Sequence, residues 1–264
     1  MILITGDKGF IGRTLVNELG KKHEVIGLDR KDGDVFEQLA KINWDDIEMI
    51  YHQGAISNTT ELDVGSIYYH NIRFSIELME IAIDKEIPIH YASSGSVYGN
   101  SKDYSYNPLN YYAMSKQTVD LWVNENKHRF KKPVVGFRYF NVYGNNELKD
   151  DYCTSPIYRF SEHAKTNGVI KIFSGSQNTY RDFVCVEDLV EIITGEHESG
   201  TYDLGPSSPV SFLEVAEMVA EKYDALVKFI PFPEVIKGKY QLYTKARPHI
   251  NYRYMSVADW LDQN

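Results

Sequence analysis

Residues 1–12, Met1-Ile2-Leu3-Ile4-Thr5-Gly6-Asp7-Lys8-Gly9-Phe10-Ile11-Gly12, run from a short apolar, β-prone stretch through a glycine turn into a helix pattern. That pattern sets Phe10, Ile11, Leu15 and Leu19 on one side. Strand, glycine turn and helix in this order are what a pyrophosphate site requires. Glycine lets the backbone approach the phosphates, and the helix N-terminus offers free N–H groups at its positive end. Gly6, Gly9, Phe10, Ile11 and Gly12 are the candidate residues of this turn. The spacing is GxxGxxG rather than GxGxxG, so by itself the stretch is a weak signal, with an ordinary glycine turn as the lesser competing reading.

The chain that follows alternates strand and helix. Glu24 to Leu28 is a second apolar run, ending at Asp29, seventeen positions after Gly12. An acid there would accept from both ribose hydroxyls of a dinucleotide and repel a 2′-phosphate, which favours NAD. Arg30 and Lys31 follow at once and would neutralise that phosphate instead, so NAD and NADP both stay open. Met49 to Tyr51 is a third strand, leading into small residues at Gly54 and Ala55 that allow close approach of a cofactor. A long helix is expected from about Asp63 to Lys85, burying Ile67, Ile72, Ile76, Met79 and Ile83. Ile89 to Ala92 and Val134 to Phe137 supply further strands, with another helix between them. This alternation predicts an α/β fold built on a doubly wound parallel sheet, with ligands at the carboxyl ends of the strands.

Composition narrows the function. The 264 residues are 43% apolar and 25% charged, as in a globular protein of one large domain or two lobes. The net charge of −9, without a basic run, gives nucleic-acid binding no electrostatic support. An anionic substrate would need the few Arg and Lys residues concentrated locally. The first residues are too short an apolar run for a signal peptide, and no run approaches the ~20 residues that span a membrane, so no membrane association is expected. Two distant cysteines argue against a disulfide framework and for a reducing, cytoplasmic setting. Eight scattered histidines lack ligand spacing, so no metal is expected.

Ser94 ends the Ile89 strand, and Tyr112 and Lys116 lie four residues apart in helix-compatible sequence, on one face. A lysine cation beside a phenol favours the phenolate, which makes Tyr112 a candidate general base toward a hydroxyl that Ser94 would hold. With 20 tyrosines, about one Tyr-x-x-x-Lys match is expected by chance. There are two, and Tyr98 to Lys102 spans the turn residues Gly99, Asn100 and Ser101. Further along, Ser211 and Glu214 form a capping box that opens a helix through about Tyr223.

Glycine turn, acid after the second strand, serine after the fourth and Tyr-x-x-x-Lys together resemble the extended short-chain dehydrogenase/reductase family. The resemblance implies a Rossmann domain with a smaller C-terminal substrate-binding lobe, divided as 1–142 plus 176–203 and 143–175 plus 204–264. It implies bound NAD or NADP and a nucleotide-sugar substrate. Ser94 and Tyr112 would hold the reacting hydroxyl, while Lys116 would contact the nicotinamide ribose; Asn71 matches a cofactor-proximal asparagine. Asn141 in Arg138-Tyr139-Phe140-Asn141-Val142-Tyr143-Gly144 and Arg181 in Tyr180-Arg181-Asp182-Phe183 match residues that meet the substrate diphosphate. For Arg181 a surface salt bridge with Asp182 or Glu187 is the competing reading.

Gly54 to Glu61, Phe137 to Gly144, Ile230 to Pro233 and Lys237 to Gln241 resemble the branch that epimerises an ADP-linked heptose at C6. There Tyr240 would line the sugar site, and Lys149 is the nearest match to a second catalytic lysine, or else a solvated lysine beside Asp150 and Asp151. Dehydratases of the wider family carry Asp-Glu after the strand-end serine or threonine. Here Gly95-Ser96-Val97 follows, which disfavours elimination of water. A 4-epimerase or ketoreductase and a non-catalytic NAD(P)-binding sensor are the alternatives. The resemblance also implies a homo-oligomer pairing through the Tyr112 helix.

Overall fold

The computed structural model describes residues 1–147, 154–233 and 241–264. Six parallel strands form the central sheet, in the order Gly200–Leu204, Val134–Tyr139, Ile89–Ser94, Met49–His52, Ile2–Thr5, Val25–Leu28. Ile2–Thr5 pairs in register with Val25–Leu28 on one side and with Met49–His52 on the other. The chain order therefore reverses beside the first strand. A crevice opens there between the carboxyl ends, at Thr5-Gly6 and His52 to Gly54.

Alternation along the strands fills both sheet faces. Leu3, Ile50 and Val134 enter one core with Leu78, Met79, Val119 and Val123. Their neighbours Ile2, Ile4, Tyr51 and Val135 enter the opposite core with Phe10, Leu15, Leu189 and Ile193. Burial on both faces explains why these strands are continuous apolar runs rather than alternating ones. The helices Phe74–Asp84 and Tyr111–Asn126 thus cover one face, and Phe10–Leu19 and Val186–Ile193 the other. A third core gathers Tyr143, Ile157, Phe160, Ile170, Ile172, Val215, Val219 and Leu261 at the sheet's carboxyl edge.

The long helix expected from Asp63 to Lys85 is present but interrupted by a π turn at Tyr68–Arg73. One extra residue in the turn rotates the inward face. Ile67, Asn71, Phe74, Ser75, Leu78, Met79 and Ala82 are buried, whereas Ile72, Ile76 and Ile83 are only half-buried. The expected face was correct at Ile67 and Met79 and rotated elsewhere. The capping box forms as read: Ser211 Oγ accepts the Glu214 N–H at 3.1 Å and Glu214 accepts the Ser211 N–H at 2.7 Å.

Candidate active site

The glycine turn closes by contact, not only by flexibility. Gly6 has φ +70°, and a Cβ there would stand 2.7 Å from the Gly54 Cα. A Cβ on Gly12 would overlap the Gly6 carbonyl oxygen. The Gly9 N–H donates to that same oxygen at 2.9 Å, which shapes the loop ahead of Phe10–Leu19. No side chain caps this helix and no acid occupies its first turn, so its N-terminal N–H groups are left for a ligand. The Asp7 carboxylate lies over Gly27, on the neighbouring strand, where a Cβ would run into it. Burial, with Asp29 nearby, raises the Asp7 pKa.

At the end of the second strand, Asp29 is buried and caps its own turn. Its carboxylate accepts the Lys31 N–H at 2.9 Å and the Lys8 N–H at 3.3 Å. Lys8 pairs with Asp32, and Arg30 and Lys31 join Asp29 along the cavity wall. Gln53, ahead of Gly54, accepts the Tyr139 hydroxyl at 2.8 Å, while its own amide nitrogen is buried without a partner.

The strand Ile89–Ser94 and the helix Tyr111–Asn126 bring the reactive groups together. Asn110 starts that helix by accepting the Ala113 N–H at 2.9 Å, and Tyr112 and Lys116 follow on one face. Lys116 is buried, donates from Nζ to the Ala92 carbonyl at 2.7 Å, and lies 6.0 Å from the Tyr112 ring centre. Burial lowers its pKa to about 8, and Asp120, one turn further on, works against that shift. Asp120 is itself held by Arg138 Nε at 2.8 Å, in a pair shielded from solvent. Ser94 Oγ accepts the Ser96 N–H at 3.2 Å, a bond that leaves its proton free to donate.

These groups face one cavity of about 1330 Å³. Single small-molecule pockets run to ~300–1,000 Å³, so the space suits two ligands end to end. Gly6, Gly9, Phe10, Ile11, Gly12, Asp29, Arg30, Gly54 and Ala55 line one part of it. Ser94, Tyr112 and Lys116 lie at its middle, and Asn141 and Arg181 line the rest. The cavity is also lined by His163 and by Arg159 and Lys171, so an acidic chain concentrates positive charge there from Arg159, Lys171 and Arg181. Among the described residues, no ion pair joins Arg181 to Asp182 or Glu187, the partners considered for it. Arg181 is buried, donates to the Tyr180 carbonyl at 2.9 Å and to the Gln241 carbonyl, and lies over the Phe212 ring at 5.3 Å.

Sequence reasoning missed Arg159, His163 and Lys171. The i, i+4 spacing of the first two on the helix Pro156–Asn167 was the available signal. Asn71 stands behind the cavity wall rather than on it. Its amide accepts the Ile56 N–H at 2.8 Å and donates to the Ile56 carbonyl at 3.0 Å. The chance pair separates as expected, with Tyr98 buried and donating to Asp203 at 2.6 Å, and Lys102 exposed. Lys149 and Tyr240 lie outside the described residues. No cluster of metal-ligating side chains occurs among the described residues, nor any helix long and apolar enough to cross a membrane.

A dinucleotide fits what is here. Gly6, Gly12 and Gly54 form a cradle that a Cβ would fill, the helix N-terminus is uncapped, and Gln53 holds an unused donor. Residues 2–202 match the model of the NAD dependent epimerase/dehydratase family, and the chain belongs to that family. It is an enzyme of that group and takes a nicotinamide cofactor. Among its relatives, the ADP-L-glycero-D-manno-heptose-6-epimerase of Brachyspira hyodysenteriae (strain ATCC 49526 / WA1) is 33% identical, over 93% of this chain and 89% of its own length. The crystal structure of the Helicobacter pylori ADP-L-glycero-D-manno-heptose-6-epimerase superposes with a TM-score of 0.85 at 27% identity, covering 99% of this chain and 94% of that one. The UDP-N-acetylglucosamine 4-epimerase of Methanobrevibacter ruminantium M1 shares the fold, with a TM-score of 0.82 at 17% identity over 99% and 96% of the two chains.

Proposed function

We propose that this chain is a nucleotide-sugar epimerase acting at C6 of an ADP-linked heptose, through transient oxidation to a keto sugar and re-reduction on its other face. The observation that carries this reading is a single cavity with Ser94, Tyr112 and Lys116 at its middle, between a glycine cradle and a cationic end. The glycine turn with Gln53, Gly54 and Ala55 would hold the pyrophosphate, and Asp29 with Arg30 and Lys31 the adenosine ribose. When bound, the cofactor supplies a hydride acceptor that is also the donor in return.

Ser94 donates its free proton to the reacting hydroxyl, and the Tyr112 phenolate accepts the hydroxyl proton. Lys116, charged below its lowered pKa, stabilises that phenolate. Tyr112 later returns the proton to the carbonyl oxygen. Asn141, Arg159, Lys171 and Arg181 face the diphosphate, whose charge they offset. Gly95-Ser96-Val97 offers no acid for eliminating water.

The 1–142 plus 176–203 and 143–175 plus 204–264 segments would then act as cofactor and substrate lobes. Pairing of two copies is supported by exposed Tyr111, Met114 and Leu121 on the helix of Tyr112, beside exposed Leu62, Val64 and Tyr68. A cytoplasmic setting is supported by the proposed substrate class and by Cys185, a buried free thiol.

Incubation of the purified protein with the ADP-heptose and with UDP-hexoses, without added cofactor, tests the reading. Interconversion of the C6 epimers without net consumption of NAD(P)H is expected. Turnover of UDP-hexoses alone would assign a 4-epimerase, and stoichiometric NAD(P)H consumption a ketoreductase. Parallel titration with NAD and NADP decides between Asp29 and its two basic neighbours as the dominant influence.

A further inference from the structure

Behind the cavity wall a line of hydrogen bonds joins the cofactor floor to the start of the Tyr112 helix. The Gly54 N–H donates to Thr5 Oγ1 at 3.1 Å, and Thr5 Oγ1 lies 2.6 Å from His52 Nδ1. On its other side, His52 Nε2 lies 2.8 Å from Ser75 Oγ, which donates to the Asn71 carbonyl at 2.6 Å. Asn71, in the π turn, donates from Nδ2 to Ser115 Oγ at 3.0 Å, and Ser115 Oγ donates to the Tyr112 carbonyl at 2.7 Å. Thr5, His52, Ser75, Asn71 and Ser115 are each at most 2% exposed.

The protons can be assigned along this line. Ser75 has one proton, committed to Asn71, so its oxygen must accept from His52 Nε2–H. His52 Nδ1 is then the acceptor for the Thr5 hydroxyl. An imidazolium would turn Nδ1 into a donor and leave the Thr5 proton without a place in the line. Burial, aided by the Lys116 charge, holds His52 neutral, with its pKa near 3. Every bond therefore points the same way, from Gly54 to Tyr112.

We propose that His52 and Ser115 are positioning residues, whose aligned hydrogen bonds, running through Asn71, fix the height of Tyr112 above the Gly54 floor of the cofactor site. This rests on the reading of Tyr112 as the proton acceptor. A base and a hydride acceptor must meet the same sugar carbon and its hydroxyl, and small misplacement of either is costly. The line ties the two supports directly, through groups that never touch the substrate.

Ser115→Ala removes the last link without entering the cavity. We expect kcat to fall by about tenfold or more, with the substrate KM and the cofactor affinity essentially unchanged and a folded protein. Ser115→Thr, which restores a hydroxyl, recovers most of the rate. Nitrogen-15 NMR of labelled histidine is expected to show His52 as the neutral Nε2–H tautomer throughout the range where the protein is folded. A ring-carbon resonance of Tyr112, assigned with Tyr112→Phe, is expected to move in Ser115→Ala. An unchanged kcat in Ser115→Ala, or an Nδ1–H tautomer or imidazolium at His52, overturns the proposal. If the wild type turns over no nucleotide sugar, the reading of the reaction fails instead. The two NMR measurements then decide this proposal, and an unmoved Tyr112 resonance defeats it.

Discussion

The Lys116 ammonium donates to the Ala92 carbonyl at 2.7 Å, tying the helix that carries Tyr112 to the strand that ends in Ser94. A lysine on a helix and a carbonyl on a strand thus help to set the separation of the Tyr112 phenol and the Ser94 hydroxyl. The side chain that tunes the base also fastens its frame.

Tyr112→Phe removes the proton acceptor and little else. Turnover is expected to fall by roughly 10²–10⁴-fold, while the protein stays folded and binds cofactor as before. Single-turnover kinetics and a cofactor titration on the same preparation check both halves. Near-normal turnover in the variant would eliminate Tyr112 as the base.

The lowered Lys116 pKa predicts an alkaline limb in kcat/KM of the free enzyme. Below about pH 8 the ammonium is charged and supports the Tyr112 phenolate; above it the support is lost, so activity should decline. Stability moves the other way. An unfolded lysine titrates near ~10.4, so between the two values the unfolded chain holds more protons and folding is favoured as pH rises. A rate profile and a denaturation series over the same pH range should therefore slope oppositely.

Lys171→Ala tests the cationic end of the cavity at an exposed side chain, where a folding cost is small. The nucleotide-sugar KM should rise by about tenfold, as for loss of a charge-assisted contact worth ~1.5 kcal/mol, with kcat nearly unchanged. Weakened inhibition by free ADP would accompany it. A change confined to kcat would move Lys171 away from the diphosphate.

Ser211→Ala should cost about 1 kcal/mol of stability by breaking a formed capping box, without altering kcat. Urea unfolding reads the first and the steady-state assay the second. Loss of activity at full stability would mean that the cap also sets Phe212, the first residue of this helix, beneath Arg181 in the cavity wall.

The parallel sheet was legible because its strands are buried on both faces and so are written as apolar runs, as in Met1 to Thr5 and Val134 to Phe137. Ser94, Tyr112 and Lys116 were legible because a strand end and one helix face fix their relative placement locally. The π turn was not: its insertion shows only once Asn71, rather than Ile72, points inward. Nor was the cation cluster, because Arg159, Lys171 and Arg181 meet only through packing between a helix and two separate strands. His52 gave no sign either, since neighbours distant in sequence define its role.

The carboxylate of Asp7 over Gly27 makes these two positions answer to each other. An alanine at 27 would have to displace the acid, and because its three nearest neighbours are all atoms of the Asp7 side chain, that clash is gone once residue 7 is glycine. Gly27→Ala alone should therefore be poorly tolerated, and the same change beside Asp7→Gly well tolerated, a departure from additivity of the size found for residues in contact. A lineage could then acquire a side chain on the second strand only after simplifying its glycine turn. The order in which substitutions are permitted is thus set by a contact between two residues that take no part in the chemistry.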